Sequence, residues 1–126
     1  MRGGDIDGRK MGNYIRRKNG NGKRDMNSNS IIKGFGSSRQ VFIDGKELTP
    51  TESFRYRNHS PDGFSWSYSG SGCSQFALAL LLEATDENTA QKKYQEFKRD
   101  IIAGLPENFT LNASVIYNWL ELVGGT

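Results

Sequence analysis

The chain carries one cysteine, Cys73, and one histidine, His59, among its 126 residues. A lone thiol excludes an intramolecular disulfide, and one histidine with one cysteine falls short of the usual four-ligand zinc set. No carboxylate pair has ligand spacing, so no metal and no cofactor is expected. No apolar run reaches the roughly 18–20 residues of a membrane-spanning helix. The basic N-terminus is not followed by an apolar segment, which argues against a secretory leader. Cytoplasm is therefore the expected location, with no membrane partner. Neither a Gly-Lys-Ser/Thr phosphate loop nor a dinucleotide glycine fingerprint is present.

What the chain has in excess is glycine, 15 residues in all, and positive charge near its start. Residues 1–30 hold eight basic residues against three aspartates, a net of +5, so the remainder of this +3 chain carries −2. The same stretch has six glycines, five asparagines and almost no large apolar residue. Such a composition cannot bury enough surface to offset the entropy of ordering. Residues 1–30 thus read as a basic, Gly/Asn-rich disordered tail, and 31–123 as a single domain.

Within that domain Ile31–Phe35 and Gln40–Ile43 read as strands. Asp44-Gly45 then suits the positive φ of a tight hairpin, with Lys46–Leu48 returning and Pro50 stopping the pairing. Residues 49–63 have loop chemistry, ending in the turn signal Pro61-Asp62-Gly63. Phe64, Trp66 and Tyr68 alternate with serines, a period of two that predicts a half-buried strand. The segment from Ser74 to about Ala84 is apolar on nearly every face, the mark of a central buried helix. Asp86 can cap a second helix in which Ala90, Tyr94, Phe97 and Ile101 share a face; Gly104 and Pro106 end it. Asn112 can cap a third, with Val115, Ile116, Trp119, Leu120 and Val123 as its stripe. Strands first and helices after predict an α+β domain: a small antiparallel sheet of about three to four strands, followed by three packed helices.

The stretch Asn58-His59-Ser60-Pro61-x-Gly63-Phe64-x-Trp66-x-Tyr68-x-Gly70-Ser71-Gly72-x-x-Gln75-x-Ala77-Leu78-Ala79-Leu80-Leu81 resembles a small uncharacterised family, a domain of unknown function scattered through bacteria, archaea and phages. Tyr94-x-x-Phe97-Lys98, Ile102-Ala103-x-Leu105-Pro106 and Trp119-Leu120 extend the likeness over roughly residues 31–122. The resemblance brings no established activity and no catalytic residues. It does imply that Cys73 stands where the family usually has proline, a residue suited to a first helical turn, which argues against a nucleophilic role.

Two loops stand out as a working surface. One is Asn58, His59 and Ser60 with the turn to Gly63. The other is Gly70-Ser71-Gly72, with Ser74 and Gln75. Free backbone N–H groups at a helix start favour an anion, and Ser69, Ser71 and Ser74 have hydroxyls to add. The plainer reading is a tight strand-to-helix turn capped by Ser71. His59 has the chemistry of a general base, with Asp62 the nearest carboxylate in sequence, although ordering the loop is the simpler role. If the aromatic segment is a straight strand, its five residues hold the two loops roughly 15–20 Å apart, as two surfaces rather than one pocket. Phe64, Trp66 and Tyr68 suit base stacking only if they lie on an open face; core packing is the expectation. Arg16, Arg17, Lys18, Lys23 and Arg24 are the densest basic cluster and suit non-specific phosphate contact. The expectation is a non-enzymatic accessory protein of a bacterium, phage or mobile element that binds a macromolecule, protein ahead of nucleic acid. The alternatives are a small-ligand or nucleotide/phosphate-binding domain using the glycine turn, and an enzyme using His59.

Overall fold

The computed structural model describes residues 26–124. The tail cluster Arg16, Arg17, Lys18, Lys23 and Arg24 lies outside the described residues. Four strands form one antiparallel sheet: β1 (Ile31–Phe35), β2 (Gln40–Ile43), β3 (Lys46–Leu48) and β4 (Phe109–Asn112), in the order β3-β2-β1-β4. Three helices are α1 (Ser71–Ala84), α2 (Glu87–Asp100) and α3 (Ser114–Gly124). The α+β class with an antiparallel sheet and three helices is as expected.

The hairpin forms where the sequence places it. Asp44 and Gly45 take positive φ of 49° and 84°, the geometry that matches the twist of a two-residue β-turn. Asp44 also ties this turn to β1: its carboxylate accepts from the Ile31 N–H at 2.9 Å, and its own N–H donates to the Ile31 carbonyl at 2.9 Å. The first of these bonds, aided by the Ser30 hydroxyl, holds the Asp44 carboxyl below the usual aspartate range.

Helix α1 is buried from Gly72 to Leu82, as its all-round apolar character requires. Asp86 caps α2 by accepting from the Thr89 N–H at 2.7 Å. That helix ends at Asp100 and runs into a short 3-10 turn, Ile102–Gly104, so the glycine terminates the second turn rather than the first. In α3 the core-facing residues are Ile116 and Trp119, with Leu120 and Val123 packed against the core. Val115 is 38% exposed, off this stripe.

Two elements differ from expectation. Phe64–Tyr68 is not a strand. Its backbone bonds go elsewhere: the Ser65 N–H to the Gly72 carbonyl and the Ser67 N–H to the Ile102 carbonyl. Ser67 takes a φ of 76°, which breaks the extended run. Alternation gave the right faces for Phe64 and Trp66, both buried, but no neighbouring strand is there to pair with. The fourth strand is instead Phe109–Asn112, between α2 and α3, in register with β1 as Gly34↔Phe109 and Ile32↔Leu111. Asn112 ends that strand, and its side chain accepts from the Ser114 N–H at 2.9 Å, which serves the start of α3 from one position further out than a simple cap.

The core lies between one sheet face and the helices. Ile32, Val41, Ile43, Leu48 and Phe109 point into it. Trp66 is its centre: fully buried, 5.2 Å from Phe109 and 5.6 Å from Phe76 between ring centroids. Its indole N–H donates to the Glu107 carbonyl at 2.9 Å, and the Arg39 guanidinium sits 4.8 Å over its ring. Each such aromatic contact adds about 0.5–1.5 kcal/mol beyond area burial. Arg39 also pairs with Glu107 at 3.2 Å, so the β1–β2 turn is latched to the segment before β4.

Candidate functional site

The sequence singles out the Asn58–Gly63 loop and the Gly70–Gln75 turn, and the structure brings them together. Gln75 does this. Its fully buried amide oxygen accepts from the His59 N–H at 2.7 Å and the Ser60 N–H at 3.1 Å. Its amide nitrogen donates to Ser53 Oγ at 2.8 Å and to the Arg57 carbonyl at 3.0 Å. The expectation of two surfaces roughly 15–20 Å apart is therefore corrected. Because the aromatic segment is not a straight strand, the long loop folds back onto the first turn of α1.

All four hydrogen-bonding positions of the Gln75 amide are filled, so it serves to anchor the loop. The glycine turn is likewise used in packing. Gly70 takes the cap position of α1 with no side-chain cap bond, so Ser71, exposed, does not cap the helix as the plainer reading held. A Cβ on Gly72 would meet the Ser65 Cβ at 2.9 Å, so the missing side chain admits the aromatic segment to the helix start. Ser74 is buried, and its hydroxyl donates to Gln95 Oε1 at 3.2 Å. Cys73 is fully buried. Asn58 and Ser71 reach solvent.

His59 has a partner that sequence order hid. Its Nε2 lies 2.6 Å from the Tyr94 hydroxyl, and the rings are 5.5 Å apart. The imidazole therefore meets a phenol on α2, not the Asp62 carboxylate. Burial, followed by the positive charges of Arg57 and Lys98, pushes the His59 pKa below the usual histidine value. The neutral imidazole is the favoured form, held between the loop and α2. Among the described residues no group of three His, Cys, Asp or Glu is placed to hold a metal ion.

The other feature with chemistry lies on the far side of the molecule. The helices cover one face of the sheet, and on the opposite face the strands alternate outward through Ile31, Lys33, Phe35 and Phe42. Lys33 is paired across the strands with Phe42 and Thr110. Phe35 and Phe42 are diagonal neighbours with ring centroids 5.8 Å apart at 76°, an edge-to-face pair. Phe35 is 44% exposed. These residues, with Asp44 and Gly45, line an open depression of about 390 Å³.

Reading the sequence missed this face. Ile31 to Phe35 has apolar residues at both parities, so a five-residue strand does not announce which side is inside. One signal was available. Gly34 shares the inner row with Val41 and Phe109, and a Cβ there would collide with the Phe109 ring. A glycine that makes room for a facing ring puts its neighbour Phe35 outside. By contrast Phe64 and Trp66, the aromatics weighed for base stacking, are core residues; Tyr68 alone of the three is exposed.

No helix among the described residues is long and apolar enough to cross a membrane. Neither a curated protein nor a solved structure matches the chain. A family model does match, over residues 22–122, and the chain belongs to that family, DUF6166, a family of unknown function. The match begins upstream of the 31–122 expected from the motif, so it takes in Lys23 and Arg24 but leaves out the six more N-terminal cations.

Proposed function

We propose that this member of a family of unknown function is a non-enzymatic binding protein whose working surface is the uncovered face of its sheet. The observation that carries the reading is the outward-facing pair Phe35 and Phe42 beside Lys33. An aromatic that is 44% exposed adds little to the core, whereas paired aromatics on a flat surface suit contact with a macromolecule. The loop and turn first singled out suit the supporting role, because Gln75 and Ser74 already have their partners within the fold. The reading includes a cytoplasmic setting and an accessory role in a bacterium, phage or mobile element.

The test is a photo-crosslinking phenylalanine analogue placed at Phe35 in the full chain, expressed in the native host. The control carries the same probe at Leu122, which is 77% exposed on α3. The expected result is a discrete macromolecular adduct from position 35, absent from position 122 and lost when excess unlabelled chain competes. Equal labelling from both positions, or none from position 35, overturns the reading.

A further inference from the structure

Apart from the sheet face, and independently of it, we infer that Arg57, His59 and Lys98 form a site for a phosphate dianion, free or as a small phosphomonoester. Three elements meet there. Near the start of α1, Gln75 accepts from the His59 and Ser60 N–H groups and donates to the Arg57 carbonyl at 3.0 Å. Beside it, Ser74 donates to Gln95 on α2 at 3.2 Å. His59 completes the arrangement, its Nε2 2.6 Å from the Tyr94 hydroxyl of α2. Lys98 follows Tyr94 by one helical turn, on the same side of α2. Helical side chains lean toward the helix N-terminus, which for Lys98 is toward Tyr94. Arg57 from the loop and Lys98 from α2 therefore converge on the neighbourhood of one imidazole. Theirs are the charges that act most on His59, ahead of the Asp62 carboxylate.

The counter-charge is missing. Lys93 on the same helix has Glu96 at 3.6 Å, and Arg55, just upstream of Arg57, has Glu52 at 3.9 Å. Arg57 and Lys98 have no such ion pair among the described residues. The helical neighbours of Lys98 three and four residues away are Tyr94, Gln95, Ile101 and Ile102, none of them acidic. Arg57 is exposed and Lys98 half-buried. A cation in the last turn of α2 suits the helix dipole, but the exposed Arg99 supplies one without approaching His59. Two cations near one imidazole, with no carboxylate between them, oppose its protonation. Nothing in the packing requires that arrangement.

The chemistry of the three groups selects the ligand. A dianion matches two fixed cations, whereas a single carboxylate leaves one of them unmatched. The guanidinium offers a planar fork of donors to phosphate oxygens, and the ammonium a mobile point charge. The imidazole is a third, conditional cation. A dianion held by Arg57 and Lys98 cancels the repulsion that keeps His59 neutral, so binding and proton uptake reinforce each other. A nucleic-acid strand instead needs a groove of cations tracking its backbone, which two residues do not provide.

His59 is the chain's single histidine, so one imidazole Cε1–H signal reports its titration by proton NMR. The full chain is titrated in chloride alone and in chloride with inorganic phosphate, at one ionic strength. Phosphate is expected to raise the His59 midpoint by about 0.5 or more, which corresponds to roughly threefold tighter binding to the protonated form. Sulfate, a dianion throughout this pH range, is expected to do the same, which separates the titration of His59 from that of phosphate itself. The double variant Arg57→Gln/Lys98→Gln is expected to titrate higher than the parent in chloride, to bind phosphate at least tenfold more weakly, and to show no further rise. Arg99→Gln is expected to respond as the parent does. A nucleoside 5′-monophosphate in a parallel arm distinguishes the sources: tighter binding than phosphate marks an ester, equal binding the free ion. Thermal melts confirm that each variant is folded. A His59 midpoint unmoved by phosphate and sulfate overturns the inference, and so does a rise of equal size in the double variant. Neither result alters the crosslink expected from Phe35, so the two readings fail separately.

Discussion

Replacing Gln75 with leucine should detach the 53–60 loop while leaving the core filled. The two side chains are similar in size, and the site is fully buried. The substitution removes four hydrogen bonds, two accepted from the His59 and Ser60 N–H groups and two donated to Ser53 and the Arg57 carbonyl. Ser53 keeps its bond to the Pro50 carbonyl at 2.7 Å, so its hydroxyl is not stranded. The net worth of each lost bond is about 0.5–1.5 kcal/mol, and an N–H left dry costs about 1–3 kcal/mol. Apolar burial of leucine returns part of this. A loss of about 2–4 kcal/mol follows, which for a domain of this size lowers Tm by about 10–25 °C. Circular dichroism melts give the first readout. Limited trypsin digestion gives the second, because Arg55 and Arg57 lie in the freed segment and should be cut faster than in the parent. Glu at position 75 should be worse at neutral pH, since a carboxylate cannot donate to the Arg57 carbonyl and would be buried charged. If Gln75→Leu melts within about 5 °C of the parent and is digested no faster, the amide does not hold the loop, and the reasoning fails.

Further outcomes follow from the same geometry. Because burial lowers the His59 pKa, the unfolded chain takes up its proton first as pH falls; stability should be flat above the unfolded value of about 6.5 and fall below it. Urea midpoints across pH 5 to 8 check this, and His59→Gln should flatten the profile. Gly34→Ala places a methyl against the Phe109 ring and should destabilise by about 1–3 kcal/mol through overpacking of the β1–β4 contact, read as a shift in denaturant midpoint. Asp86→Ala removes the cap on α2 at a cost of about 1 kcal/mol, measurable the same way. Phe35→Ala should change stability by less than about 1 kcal/mol, since the ring is partly in solvent; a larger loss would mark it as a core residue and weaken its assignment to a surface.

The parts of the fold legible in the sequence are those set by local chemistry. Asp44-Gly45 names its own turn, Asp86 its own cap, and the run from Phe76 to Leu82 its own burial. The strand at Phe109–Asn112 was not legible, because Phe-Thr-Leu-Asn is too short to show alternation and becomes a strand only through its pairing with β1. The aromatic segment failed for the opposite reason. Phe64, Trp66 and Tyr68 alternate well, yet the Ser65 and Ser67 N–H groups are satisfied by α1 and by the turn after α2. Alternation marked Phe64 and Trp66 for the core, though not the exposed Tyr68, and carried no information on whether the backbone has a strand to bond. At the candidate site, His59, Ser60 and Gln75 stand in one motif, but nothing in their order shows that the Gln75 amide joins the loop to α1, or that Tyr94 meets His59.

The same distinction bears on where function sits. A motif that is long and specific draws the eye to itself, and here Gln75 is engaged by the loop and His59 by Tyr94, within the fold. Such a motif is demanded by the need to fold a fifteen-residue loop back onto a buried helix, whatever the protein binds. Phe35 and Phe42 are under no such demand, for both stand on the sheet face away from the core, beside Lys33. Residues that the fold does not require are the ones whose identity has to be explained by a contact outside it. The sheet face, not the glycine turn, is thus the place where a substitution should separate stability from binding, and the Phe35 and Gln75 variants, measured side by side, make that separation directly.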